Sequence, residues 1–163
     1  MRDSPKVVLL VLCFLLAGCS GSDDLEILGT EYRDPPYAPG FTLENQFGEE
    51  VSLSDFDGKV VVVAFIYTSC PDVCLIISSN LDYVSQNMGD HSEMVEFVSI
   101  TIDPARDTRS HLLEWTSARG YEWDHLTHER GSAIQAVWDD WNVVVDAEHI
   151  ANSLPPEEAE VRF

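Results

Sequence analysis

Val60-Val61-Val62-Val63-Ala64-Phe65-Ile66-Tyr67-Thr68-Ser69-Cys70-Pro71-Asp72-Val73-Cys74 decides how this chain is read. Its first eight residues are all apolar and rich in Val. A short β-branched run without a polar side is expected to be a strand buried on both faces. Pro71 suits a first helical position, where its missing N–H would be unpaired anyway. Ile77, Leu81, Val84 and Met88 then mark one face of a helix from about Pro71 to Met88, ended by Gly89-Asp90. Cys70 is thus placed at a helix cap, where free N–H groups and the dipole favour a thiolate. Cys74 follows one turn later on the same side.

Outward from this stretch the pattern alternates. Phe41-Thr42-Leu43 and Val51-Ser52-Leu53 flank a polar turn with Gly48 and predict a β-hairpin. Val95–Ile102 reads as a second apolar strand. Residues 109–119 fit a helix with Leu112, Leu113 and Trp115 apolar, and residues 130–141 fit another with Ile134, Val137, Trp138 and Trp141 on one face. Val143–Val145 suggests a third strand. The order, a hairpin and then β-α-β-α-α-β, implies an α/β sheet with parallel neighbours.

The amino end reads as targeting sequence. Arg2 and Lys6 precede an apolar run of 11 residues, Val7–Ala17, too short for the about 20 that span a bilayer. Leu16-Ala17-Gly18-Cys19 resembles the lipobox of prokaryotic lipoproteins, which implies that residues 1–18 are removed and that Cys19 carries lipid. Residues 19–35 are expected to be a tether, with Ser20-Gly21-Ser22 as its flexible start. The domain is expected over 36–163, on the extracytoplasmic face of a membrane. Cys13 would leave with the leader, so Cys70 and Cys74 are the cysteines that remain, in a compartment that permits disulfides. The net charge of −20, from 29 acids against nine Lys and Arg, argues against a nucleic-acid partner.

Two sulfurs one turn apart can close a disulfide, inert or redox-active, or hold a soft metal ion between them. Thr68-x-Cys70-Pro71-Asp72-Val73-Cys74 and Asp103-Pro104-Ala105-Arg106-Asp107-Thr108 together resemble the Sco/SenC family. The similarity extends over roughly residues 36–146. It implies a thioredoxin-like fold and a copper metallochaperone serving the binuclear copper site of cytochrome c oxidase. It also implies that Cys70 and Cys74 ligate Cu(I) or Cu(II), that Asp72 tunes the site, and that Asp103, Arg106 and Asp107 shape the adjoining loop. An ion pair and, for Asp107, a helix N-cap are the simpler structural roles of those three. Leu75 stands where the family commonly has Pro.

The alternative function is thiol-disulfide exchange by the same pair, with Cys70 attacking and Cys74 resolving, in company with a thiol-disulfide reductant. The family's third ligand, a late His, has no clear counterpart. His149 has the wrong context and is expected to lie on the surface, and His125-x-x-His128 is far from a zinc-finger spacing. Residues 154–163 carry Pro-Pro and acids, so the domain is expected to lack the C-terminal strands and helix of the family.

Overall fold

The computed structural model describes residues 28–146 and Glu148. Cys19, His149 and the expected leader lie outside them. Residues up to Pro36 form one unit, and its described part, 28–36, carries neither helix nor strand. The second unit begins at Tyr37. There β1 (Thr42–Glu44) and β2 (Glu50–Ser52) form the expected antiparallel hairpin. β3 (Val60–Ile66), β4 (Val95–Thr101) and β5 (Asp124–Leu126) follow, in a parallel sheet ordered β3-β4-β5. Between and after them run α1 (Val73–Asn87), α2 (Arg109–Ser117) and α3 (Gly131–Asp140).

Alternation along the strands divides the core. Val61, Val63 and Phe65 of β3 join Val98, Ile100 and Leu126 against α3 and the hairpin, where Ile134, Val137, Trp138, Phe41, Leu43 and Val51 are buried. Ala64 and Ile66 point the other way, toward Cys74 and Ile77 of α1 and Trp115 of α2. Trp138 also donates its Nε1–H to the Thr101 carbonyl at 3.1 Å, which satisfies its one polar atom inside the apolar layer.

Four expectations are corrected. The first concerns β3, which is not buried on both faces. It pairs with β4 alone among the described residues, so its outer edge is open; Val60 is exposed and residues 61–65 are half-buried. The strand enclosed on both sides is β4. Second, the buried stripe of α1 runs through Cys74, Ser78 and, half-buried, Ile77 and Leu81, leaving Val84 exposed. Third, Val143–Val145 is not a strand; Val143 and Val145 pack on the core without ladder hydrogen bonds, and Val144 is exposed. Fourth, Trp141 caps α3 rather than lying inside it, half-buried against Phe41 and Phe65.

The strand the sequence did not announce is β5. Its three residues, Asp124-His125-Leu126, lack the apolar run of a strand. They are held from both sides. β4 pairs with them, and the hairpin turn clamps them: Asn45 Nδ2 donates to Asp124 Oδ1 at 3.0 Å, Gln46 Nε2 to the Trp123 carbonyl at 3.0 Å, and His125 N to Gln46 Oε1 at 2.8 Å. The turn itself is set by Asn45 Oδ1, which accepts from the backbone N–H of Phe47 and of Glu49. Gly48 has φ +84°, a backbone conformation that glycine adopts without strain.

Candidate metal centre

Both cysteines sit where β3 hands over to α1, but not as the cap reading placed them. α1 begins at Val73 with Asp72 as its N-cap residue, so Pro71 precedes the helix and Cys70 belongs to the turn. A hydrogen bond of 3.2 Å from Cys70 N to the Tyr67 carbonyl closes that turn. It folds the Cys70 side chain back over the first turn of α1, where Cys74 lies. The two thiols are free and hydrogen-bonded to each other. They pack with Ile66, Tyr67 and Trp115, and keep 7% and 6% exposure, while Pro71, Asp72 and Val73 are exposed beside them.

The two sulfurs differ in acidity. Burial alone would raise the Cys70 thiol. Hydrogen bonds from the Cys74 thiol, from the backbone at Asp72 and Cys74, and from the Tyr67 side chain outweigh it, and Cys70 falls below its ordinary value. Cys74 is pushed up to about 12, by burial first, then by its bond to Cys70 and the charges of Cys70 and Asp107. The pair is therefore asymmetric, with Cys70 the more acidic sulfur and Cys74 the one that holds its proton more tightly. Asp72, expected to tune the site, contributes through its backbone and keeps its carboxylate exposed. Leu75, where the resemblance has Pro, is exposed in the first turn of α1.

The loop after β4 supports this turn from below. Asp103 and Arg106 form the expected ion pair. Asp107 is not the N-cap of α2; Thr108 is, accepting from His111 N at 3.3 Å. Asp107 is fully buried and ties the turn after β3 to the end of β4. Thr101 Oγ1 donates to it at 2.6 Å, Thr68 N donates at 3.1 Å, and the Thr68 hydroxyl makes a further short bond. Burial raises the Asp107 carboxyl above its ordinary value, against the pull of the two threonines.

The histidines do not converge on the sulfurs. His125 is buried among Trp115, Tyr121 and Trp123, with Nδ1 against the Trp123 carbonyl at 3.0 Å. His128 is half-buried and its Nδ1 accepts from Arg130 N, so its ring is engaged apart from His125. Among the described residues no group of three or more His, Cys, Asp or Glu is placed to hold a metal ion. The sequence missed His111, whose Nε2 lies 2.9 Å from Thr68 Oγ1, two residues before Cys70. Nothing in its helical neighbourhood signals that contact, because it is made across 43 residues of chain.

A family profile described as SCO1/SenC matches residues 30–158. The chain belongs to the SCO1/SenC family. The SCO1 protein homolog of Bacillus subtilis is 28% identical over 131 residues, which are 77% of this chain and 63% of that protein, so this chain spans less than two thirds of the relative's length. The structure of Bradyrhizobium japonicum ScoI with copper bound superposes with a TM-score of 0.60 at 28% identity, covering 64% of this chain and 66% of that one. A structure of BsSco, described as having a disulfide switch and as a member of the Sco family of cytochrome c oxidase assembly proteins, gives a TM-score of 0.58 at 25% identity over 67% and 66% of the two chains. This Sco domain shares their thioredoxin-like α/β fold.

Proposed function

We propose that this Sco protein carries copper, held by Cys70 and Cys74, toward the copper site of cytochrome c oxidase. The observation that supports it most is the pair itself: two free sulfurs within hydrogen-bonding reach, one of them acidified, at the carboxyl end of a parallel strand. Soft thiolates select Cu(I), and an added nitrogen donor suits Cu(II). The copper-bound structure of Bradyrhizobium japonicum ScoI, similar in fold, supports copper as the metal carried. Binding Cu(I) requires Cys74 to give up its proton, so affinity rises with pH.

The same asymmetry supports thiol-disulfide exchange as a second activity, with Cys70 as the attacking thiolate and Cys74 as the resolving thiol. A pair that closes to a disulfide cannot take copper until a reductant opens it, which makes an extracytoplasmic dithiol reductant the second partner. Lipid on Cys19, with residues 19–35 as a tether, would hold the domain at the membrane where the oxidase sits. Titration of the reduced chain with Cu(I) against a chromophoric chelator tests the carrier reading. One equivalent bound by the wild type and sharply weakened binding by Cys70→Ser is the expected result. Undiminished binding by Cys70→Ser would end it.

A further inference from the structure

We propose that His111, Thr68 and Asp107 form a proton relay that joins the buried carboxylate beside the cysteine turn to solvent, with His111 as its outer terminus. The two oxygens of Asp107 are differently engaged. Oδ2 accepts the Thr101 hydroxyl at 2.6 Å and the Thr68 backbone N–H at 3.1 Å, and that N–H reaches Oδ1 only at 3.4 Å. The Thr101 hydrogen is committed to that bond, because its Oγ1 accepts in turn from Asp103 N at 2.9 Å. A proton held by Asp107 therefore resides on Oδ1, which faces the Thr68 hydroxyl. Thr68 has one hydrogen and two lone pairs. Its other partner is His111 Nε2 at 2.9 Å, on an exposed imidazole.

The transfer balances without a further reactant. With Asp107 protonated and His111 neutral, Oδ1–H donates to Thr68 Oγ1, and the Thr68 hydrogen donates to Nε2. The carboxyl proton passes to Thr68 as the threonine's own passes to Nε2. Asp107 is left as carboxylate and His111 as imidazolium, which releases Nδ1–H to water. Inward transfer is the reverse. The charged groups that Asp107 meets are Asp103, itself paired with Arg106, and Cys74. On the helix of His111, Glu114 lies one turn on. The relay rests on hydrogen bonds of the metal-free chain and stands apart from the copper reading.

The test uses the reduced, metal-free full chain. Carboxyl carbon and imidazole nitrogen NMR titrations of Asp107 and His111 report coupling, and infrared detection after a pH jump reports the rate of proton exchange at Asp107. In the wild type each group is expected to shift the other's midpoint. His111→Gln should remove the second step from the Asp107 titration and slow exchange at least ~10-fold. Thr68→Val should slow it equally, and Thr68→Ser should restore it. His111→Gln is a surface change and decides the matter if Thr68→Val does not fold. Wild-type exchange rates in His111→Gln, or one unshifted Asp107 midpoint in both proteins, would overturn the relay.

Discussion

His125 should make this protein lose stability in mild acid. Burial holds its imidazole down to about 4, against an ordinary 6.5, while the bond to the Trp123 carbonyl pulls weakly the other way. The ring is 1% exposed, so solvent screens little of that penalty. Because the folded value is depressed, the unfolded chain binds more protons than the native one between about 4 and 6.5. Stability therefore falls as pH falls through that window. The imidazole contribution amounts to roughly 2 kcal/mol between about pH 7 and about pH 5, and roughly 3 kcal/mol by about pH 4. The raised carboxyls of Asp107 and Asp124 act with the opposite sign in acid, so the comparison must be with a variant. Urea unfolding of the reduced chain at the two pH values, wild type against His125→Gln, isolates the term. Glutamine does not titrate. A difference in pH dependence below about 0.5 kcal/mol would refute the reasoning, as would an imidazole midpoint near 6.5 by NMR.

Iodoacetamide at neutral pH should modify Cys70 first, and thiolate absorbance should show one sulfur ionising below the ordinary thiol value and the other near 12. Equal reactivity of the two would contradict the assigned asymmetry. Leu126→Ala removes a side chain with 0% exposure at the junction of β5, α3 and the hairpin, and should cost about 3 kcal/mol by urea denaturation. Thr101→Val leaves Asp107 short of its 2.6 Å donor and should cost about 1–3 kcal/mol while raising the Asp107 midpoint further, read by carboxyl NMR. With a net charge of −20 the folded chain repels itself, so added KCl should raise the unfolding midpoint, and a salt-independent midpoint would remove that account.

Periodicity located what is local. The hairpin, β3, β4 and three helices are legible because each carries its own pattern within one element, and Cys70 and Cys74 because the β3-to-α1 junction brings sequence neighbours together. What stayed hidden depends on distant chain. β5 is a strand because Asn45 and Gln46 reach 79 and 77 residues forward to hold it, and no property of Asp124-His125-Leu126 reveals that. Asp107 read as a cap because it immediately precedes the residue that is the cap. Its true partners, Thr68 and Thr101, come from the turn after β3 and the end of β4, and buried side-chain pairing of that kind leaves no period. The open edge of β3 was equally unreadable, since an apolar run reports how a strand can be buried and not how many neighbours it has.

X-ray absorption at the copper edge, on the reduced chain loaded with one equivalent of Cu(I), bears most directly on the carrier account. Two copper–sulfur vectors are expected in the wild type, with one lost in Cys70→Ser and one in Cys74→Ser. A spectrum without sulfur neighbours, or one unchanged when both cysteines are replaced, would contradict it.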